Sequence, residues 1–345
     1  MNKIKLIILT ILAVFIFTAC STDVEVNGEW IDIPIVYCIL DASSPVQYVK
    51  VNKSFLGNIP ASQMAAISDS LFYNKVEVVL NEYNSNNVKI ASYTFEEVDT
   101  IPKPSGYFSN NRNTMWVKQM NLNLDNSYEL VVTIDDGKHI VKSRTNLVKG
   151  MYITAPSPFA PSIDIVRYAG DFEYKYNNGT NGKAFQMTIA FNYFEVNEQG
   201  DTSEVKTIVW PQNKEYRTTT SPTEVNGKFS ILAFYNLIKS KLGEPQPGVK
   251  RFVKMPESIE FRLAAADENY VTYMEISAPS SGIVQEKPSF TNLNGGYGLF
   301  ASRYNVVLTK KLGTRTLDSL SRGIYTKDLG FANAYDQYYL SNGAN

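Results

Sequence analysis

Between Ile31 and Arg144 the chain is built from short apolar runs, and this pattern limits what it can fold into. Within the runs, apolar and polar residues mostly alternate, which is the period of a strand with one buried face. Turn-forming residues that tolerate a positive φ, such as those at 84–87 and 135–137, separate them. The series predicts a mainly β fold. The runs are Ile31–Leu40, Val46–Lys53, Lys75–Leu80, Lys89–Phe95, Met115–Met120, Tyr128–Ile134 and His139–Arg144.

One of these runs begins with a more specific pattern. Leu122, Leu124 and Tyr128 precede an alternating stretch to Ile134. The pattern resembles the tyrosine corner of Greek-key sandwiches, in which a tyrosine hydroxyl returns to the backbone of the preceding turn. It favours an immunoglobulin- or transthyretin-like Greek-key β-sandwich over residues 30–150. The alternative is an ordinary buried tyrosine in a hairpin.

The second half of the chain mixes strand and helix signals. Prolines at 156, 158 and 161 predict a linker over residues 151–161. Residues 162–312 then predict an α+β domain with an antiparallel sheet and one or two short helices, followed by a C-terminal tail at 313–345. The predicted strands are Ala184–Val196, Glu204–Trp210, Ser258–Ala265 and Tyr304–Thr309, and the predicted helices are Ile231–Leu242, capped by Ser230, and Asp267–Ser277, capped by Asp267.

The N-terminus carries the features of an export signal. Lys3 and Lys5 precede the apolar run Leu6–Phe17, which is shorter than the about 20 residues that span a bilayer. The sequence Phe-Thr-Ala-Cys that ends at Cys20 resembles the bacterial lipobox. Phe17 replaces the usual leucine, as in the looser lipoboxes of Bacteroidetes. We therefore expect a signal peptide at 1–19. The alternative is a transmembrane anchor with an incidental cysteine.

Lipid on Cys20 would fix the location of the protein. Two or three acyl chains anchor a protein stably, whereas one binds marginally. Ser21 is not the aspartate that often signals inner-membrane retention, so the outer membrane is favoured. Asp23 and Glu25, in the expected tether 20–29, favour the cell surface over the periplasmic face. The membrane, reached through this lipid, is the first expected partner.

Charge and cysteine content exclude some classes of function. The full chain has 33 basic and 34 acidic side chains. Removal of the signal peptide would remove Lys3 and Lys5, so the mature protein would keep 31 basic and 34 acidic side chains and a net charge of −3. This balance does not predict nucleic-acid binding. Cys38 is the one cysteine left after lipidation and lies in an apolar run. We expect it to be a buried, inert thiol.

The residues needed for most enzyme chemistry are scarce. His139 is the single histidine, so we expect neither a hydrolytic triad nor a zinc site, and neither a metal nor a cofactor. The stretch Gly296–Ala301 matches the letters of a dinucleotide fingerprint, but it lies between loop-like and strand-like segments instead of strand and helix. We expect a protein that is not an enzyme. A glycosidase-like pair of carboxylates stays open, because acidic residues are plentiful.

Two loops are candidate contact sites for a ligand or partner. Asn58–Ser70 is polar within a strand-rich region, and Lys287–Tyr297 combines glycines with aromatic residues. Because glycines allow close backbone approach, we favour the second loop, with Phe290 and Tyr297 as contacts. The alternative is that both are variable surface loops. The frequent tyrosines, 22 in all, suit recognition of sugars or proteins but are also common strand residues.

Three sites resemble the O-glycosylation sequon of exported Bacteroidetes proteins, an aspartate followed by serine or threonine and an apolar residue. The expected acceptors are Ser70, Thr100 and Ser319. About one such match is expected by chance from the composition.

Several features together resemble a known family. They are the lipobox, Val36–Asp41 followed by Tyr48–Lys53, the hairpin Leu124–Gly137, Glu268–Tyr270 before a short helix, and Asn294–Phe300 near the end. The family is the Bacteroidetes outer-membrane lipoproteins with domain of unknown function 4249, and the resemblance covers nearly the whole mature chain. It implies an accessory role beside a TonB-dependent outer-membrane receptor. It supplies no functional residues.

The sequence thus supports three functional hypotheses. The first is a non-catalytic, outer-membrane-anchored binding or accessory protein that works with a TonB-dependent receptor or transporter, with an unknown ligand. The second is a surface hydrolase that uses carboxylates at a groove between the two parts of the chain. The third is a structural or adhesive surface subunit.

The anchor can be tested apart from these hypotheses. Cys20→Ala removes the thiol that carries lipid, so the variant should no longer fractionate stably with membranes, as measured by blotting of washed membrane fractions. If the alanine variant still sediments with outer membrane after a high-salt wash, lipid is not what retains the protein.

Overall fold

Three β-sheets and several short helices make up the part of the chain that the computed structural model describes. The described residues are 32–54, 60–67, 70–104, 106, 108, 112–217, 221–279 and 289–336. The predicted signal peptide, Cys20 and the tether lie outside them. As expected, the fold is mainly β, a β-sandwich followed by an α+β part.

The strands are β1 (Pro34–Asp41), β2 (Val46–Lys53), β3 (Val76–Tyr83), β4 (Lys89–Thr94), β5 (Glu96–Val98), β6 (Met115–Gln119), β7 (Ser127–Ile134), β8 (His139–Asn146), β9 (Lys149–Ala155), β10 (Ser162–Ile163), β11 (Asp171–Thr180), β12 (Ala184–Val196), β13 (Lys206–Tyr216), β14 (Glu224–Ser230), β15 (Lys250–Val253), β16 (Ile259–Ala266) and β17 (Tyr297–Leu312). The α-helices are α1 (Ala61–Ala65), α2 (Ile231–Leu242), α3 (Glu268–Ser277) and α4 (Thr314–Arg322).

The largest sheet runs through both halves of the chain. Its ten strands include the path β13-β12-β16-β17-β1-β2-β6-β5, with β15 beside β12 and β10 beside β17. A four-stranded sheet, β4-β3-β7-β8, and a three-stranded sheet, β14-β11-β9, complete the described strands. Strand β17 pairs in parallel with β1 and antiparallel with β16, so it joins the two halves.

The N-terminal core lies between the four-stranded sheet and one half of the large sheet. Alternate residues of β1 and β2, such as Val36, Cys38 and Val49, are buried in it together with Phe300 of β17. The tyrosine corner is confirmed, because the Tyr128 hydroxyl accepts a hydrogen bond of 2.7 Å from the backbone N–H of Asn123. The alternation that predicted these strands therefore selects their core-facing side.

The second core is formed by the other half of the large sheet, the three-stranded sheet and α2. Phe185, Ile189 and Phe191 of β12 pack with Phe234 and other apolar residues of α2. Helix α2 has the predicted bounds, and the Ser230 hydroxyl accepts from the N–H of Ala233 as its cap. The α3 prediction is also confirmed, since Asp267 accepts from the N–H of Tyr270.

Two predicted segments contain more structure than expected. Residues 151–155 of the expected linker belong to β9, because Met151 and Ile153 alternate into the second core and the strand pairs with β11. The described part of the expected tail, residues 313–336, includes α4, whose Leu317 and Leu320 are buried in that core. Within the loop expected at Asn58–Ser70, residues 61–65 form α1.

A buried arginine holds the described C-terminal segment in place. The Arg251 guanidinium donates to Glu195 Oε1 at 3.0 Å and to the backbone carbonyls of Gly243, at 2.9 Å, and Leu329, at 2.8 Å. The N–H and carbonyl of Arg251 also bond to Gly330 and Ala332. Because burying an arginine is costly unless its donors are satisfied, these bonds tie the end of α2 to residues 329–332.

Two tyrosines allow a paired test of buried hydroxyl groups. Tyr128→Phe should lower the free energy of unfolding by about 1–2 kcal/mol, because it leaves the N–H of Asn123 without its partner. Tyr176→Phe should leave stability unchanged or raise it, since that hydroxyl is buried without a hydrogen-bond partner among the described residues. Urea denaturation of both variants measures this. Equal losses in the two would contradict the assigned role of the corner.

Candidate functional site

The large sheet has one face turned away from both cores. Because side chains alternate along β17, Phe300 and Val306 face the cores, whereas Arg303, Asn305 and Val307 face outward. Helix α3 lies across this outer face and packs Val271 on Ala184 and Ala266. The helix covers only part of the face, and a pocket opens beside it.

Alanines form the floor of this pocket. Ala184 of β12 is paired with Ala266 of β16, and Gln186 is paired with Ala264 in the next row. Alanine side chains leave space above a sheet that larger residues would fill. Ala264 is accordingly solvent-exposed although it lies in the middle of the sheet. The resulting pocket has a volume of about 250 Å³.

The walls combine aromatic and apolar side chains. Tyr270, Val271 and Met274 of α3 form one side, and Tyr216 of β13 forms part of another. Tyr216 is 48% exposed, so its ring is accessible to a ligand. The walls therefore present flat apolar surfaces and phenolic hydroxyl groups together.

Polar side chains surround the floor. Gln186, Lys214, Glu275, Arg303 and Asn305 all line the pocket. The Gln186 amide nitrogen donates to the carbonyl of Gln212 at 3.1 Å, whereas its side-chain oxygen has no hydrogen-bond partner among the described residues. A β-bulge between β12 and β13 falls at this position, where the register shifts between Gln186 and Thr188. Bulges of this kind redirect side chains next to binding sites.

Asp41 fixes the β17 end of the pocket. Its carboxylate accepts from Arg303 Nε at 2.7 Å and from Asn305 Nδ2 at 3.0 Å. The Asp41 side chain is 8% exposed, whereas that of Arg303 is 48% exposed. Among the described residues, the two terminal nitrogens of the guanidinium and the Asn305 amide oxygen have no partner, which leaves them available to a ligand.

Helix α3 is held by the carboxylate of Asp267. Besides capping the helix, the carboxylate accepts from the N–H of Ser302 at 2.7 Å and from the Thr145 hydroxyl at 3.2 Å. Burial raises the pKa of Asp267 and outweighs these hydrogen bonds, which lower it. The wall of the pocket is thus fixed to β8 and to β17.

A second feature of the outer face is a diagonal of tyrosines. Tyr297, Tyr37 and Tyr48 lie on the adjacent strands β17, β1 and β2 and are 48%, 37% and 44% exposed. Tyr297 is paired with Ile35, two residues before Tyr37. Tyr37 is in turn paired with Lys50, two residues after Tyr48, and such diagonal neighbours of an antiparallel pair are about 7–8 Å apart. The Tyr273 hydroxyl of α3 donates to that of Tyr37 at 3.3 Å. The middle tyrosine of the diagonal therefore contacts the helix that walls the pocket.

The structure gives the two predicted contact residues different surroundings. Tyr297 is on the open diagonal, and Phe290 is half-buried, so neither is a residue of a hydrophobic core. Their role as contacts stays a prediction. The glycines beside them, however, approach the protein's own backbone. A side chain at Gly298, where φ is +123°, would collide with the carbonyl of Val36, and one at Gly295 would collide with that of Ile140.

His139 takes part in a polar cluster at the start of β1. Asp32 accepts from Tyr73 at 2.7 Å and Lys138 at 2.9 Å, and His139 Nε2 lies 2.9 Å from it. Burial would raise the pKa of Asp32, but these hydrogen bonds outweigh it and lower the pKa to about 2. The cluster fastens the first described residue to β8 and to residue 73.

The other candidate residues are dispersed. Cys38 is buried, as expected, and burial raises the pKa of its thiol. Thr100 is exposed and Ser70 half-buried, whereas the Ser319 hydroxyl in α4 donates to the carbonyl of Arg315. Glycosylation of all three stays a prediction. Among the described residues, no group of three His, Cys, Asp or Glu side chains could hold a metal ion.

Sequence reasoning missed the pocket. Its residues come from β12, β13, β16, β17 and α3, which are far apart in the chain. One local signal was present: Ala264, Ala265 and Ala266 form a run of alanines in a strand, where alanine is depleted. Such a run indicates a surface with unfilled space above it, but it does not show what the space is for.

Comparison with known proteins does not assign the chain. No protein-family model and no curated protein matches it. The solved C-terminal globular domain of an oligosaccharyltransferase from Pyrococcus abyssi is similar over 65% of this chain, with 13% identity and a TM-score of 0.22. The chain spans about half of that domain, 47% of its length. Within the described residues, no helix has the length and apolar character needed to cross a membrane.

The Asp32 cluster predicts a pH-dependent contribution to stability. The pKa of Asp32 lies below its ordinary value of 3.8, so its stabilisation is complete above about pH 4 and is lost as the pH falls toward 2. Asp32→Asn should therefore lower the free energy of unfolding by about 1 kcal/mol near neutral pH, after allowance for solvent screening. The difference from the wild type should vanish in acid, as measured by urea denaturation.

Asp136→Asn is the matched control. Asp136 forms an ion pair with Lys75 in which both side chains are mostly exposed, and its positive φ suits asparagine. We expect little effect of this substitution at any pH. If Asp32→Asn lowers the free energy of unfolding by the same amount at all pH values, the ionised carboxylate is not the species that stabilises the fold.

Proposed function

We propose that this protein is a non-catalytic binding or accessory lipoprotein, anchored to the outer membrane through Cys20, exposed at the cell surface and associated with a TonB-dependent receptor. We further propose that it is a member of the lipoproteins with domain of unknown function 4249. The observation that carries the binding role is the pocket beside α3, an open cavity with an alanine floor and a ring of polar side chains.

The position of the pocket along β1 supports presentation to the outside. The tether would enter at Asp32, and the pocket lies near Asp41, at the opposite end of the strand. With a rise of about 3.3 Å per residue, the two ends are about 30 Å apart. The site would therefore point away from the point of attachment.

The length of the tether supports association with a receptor in the same membrane. Twelve residue steps separate Cys20 from Asp32, and even fully extended they reach about 40 Å. A lipid on Cys20 would hold the folded body within that distance of the bilayer. A β-barrel receptor in that bilayer would then be within contact distance.

The pocket does not favour the alternative of a carboxylate-based hydrolase. Such an enzyme needs two facing carboxyl groups, and the lining residues contribute one, Glu275. The nearby Asp41 is engaged by Arg303 and Asn305. The composition of the lining therefore favours binding over carboxylate-based hydrolysis.

Co-purification tests the association. The full-length protein, tagged at its C-terminus and extracted from native cells in mild detergent after crosslinking, should carry a β-barrel receptor that mass spectrometry identifies. Cys20→Ala should lose the receptor, because the variant leaves the membrane, and an unrelated lipoprotein of similar abundance is the control. Recovery of the wild type as a free lipoprotein despite crosslinking would contradict the proposal.

A further inference from the structure

We infer that the pocket beside α3 binds an uncharged, polyhydroxylated ring, that is, a sugar unit of a neutral glycan. The inference rests on the binding role proposed above and specifies its ligand. Three properties of the site carry it: the balance of its charges, the mixture of its hydrogen-bonding groups, and the shape of its apolar surfaces.

The charges of the site cancel. Lys214 and Arg303 are the cations of the lining, and Glu275 is its anion. Asp41 adds a second negative charge through its ion pair with Arg303 at 2.7 Å. A site with two charges of each sign gives no net attraction to an anion or a cation. An uncharged ligand fits it best.

The hydrogen-bonding groups include both donors and acceptors. Within the described part of the chain, the side-chain oxygens of the lining residues Gln186, Asn305 and Glu275 have no protein partner, and neither do Lys214 Nζ and the terminal nitrogens of Arg303. A carboxylate or phosphate would satisfy the donors and leave the three acceptors unpaired. Hydroxyl groups both donate and accept, so a ligand with several of them can pair with the donors and with the acceptors around the pocket.

The apolar surfaces suit a saturated ring. The C–H face of a sugar can lie on a flat aromatic or alkyl surface while its hydroxyl groups point sideways. Ala264 and Ala266 provide such a floor, and the exposed ring of Tyr216 and the half-buried ring of Tyr270 provide walls. A volume of about 250 Å³ is just below the range of about 300–1,000 Å³ for drug-sized ligands. It accommodates one or two rings, and the open side leaves room for the rest of a chain.

An array of immobilised glycans tests this inference. The full mature protein in detergent is applied to neutral polysaccharides and oligosaccharides of plant, fungal, bacterial and animal origin, with acidic glycans and peptides on the same array. The expected result is binding to one or more neutral glycans. Titration calorimetry with the strongest of these then gives the affinity of the wild type and of each variant.

Two variants should weaken that binding about tenfold or more. Ala264→Leu fills the floor of the pocket, and Tyr216→Ala removes an exposed wall, so the second is not expected to disturb folding. Val307→Leu is the control. It adds bulk on the same outer face, two residues from Asn305, at a residue that is 55% exposed and outside the pocket lining. Its affinity should match that of the wild type.

The inference is overturned if the array shows binding to acidic glycans or peptides alone, or no binding. It is also overturned if neutral glycans bind equally well to the wild type, Ala264→Leu and Tyr216→Ala. These results are separable from the proposed function. A receptor that still co-purifies would uphold the accessory role with another ligand, whereas neutral-glycan binding without a receptor would uphold the ligand class alone.

Discussion

The backbone hydrogen bonds of β17 join parts of the chain that are distant in sequence. Its first half pairs in parallel with β1, where Arg303 lies opposite Asp41, 262 positions earlier, and its second half pairs antiparallel with β16. A parallel pair requires a crossover connection, and here most of the chain serves as that connection. Without β17, β1 would be an open edge with unpaired N–H and carbonyl groups. The sandwich predicted at 30–150 is therefore completed by a strand from the other half.

The same strand sets the position of the pocket. Since β17 is continuous, its alternation carries over from one core to the other, and all its outward residues fall on one face. Helix α3 is fixed near the point where β17 changes partner, because the Asp267 carboxylate bonds to Ser302 and Thr145. The helix thereby separates the outer face into the tyrosine diagonal around Tyr37 on one side and the alanine-floored pocket on the other.

Much of the fold could be predicted because its strands have one buried face. Strands β2 and β12 and helix α2 have the predicted bounds. Strand β11 escaped prediction because its last four residues include Asn177, Asn178 and Gly179, residue types that indicate a turn. In the fold, the Asn178 side chain instead bonds to Thr223 of the neighbouring segment. Helix α4 also escaped prediction. It has only two large apolar residues, Leu317 and Leu320, which are too few to reveal a helical repeat of apolar positions.

The site was less predictable because its elements meet only in the folded chain. The glycines of Lys287–Tyr297 were interpreted as sites where a partner's backbone approaches, but a glycine does not tell which backbone approaches. In the fold, the backbone that lies against Gly295 is that of Ile140, within the protein. Alanines are informative in a different way. A turn often requires a glycine but not an alanine, so an alanine at an outward position of a strand indicates open space above the sheet. Ala264 is outward and exposed, whereas Gly298 is buried against β1. Open space therefore lies above the alanines of β16, whereas the space beside Gly295 and Gly298 is occupied by the protein's own backbone.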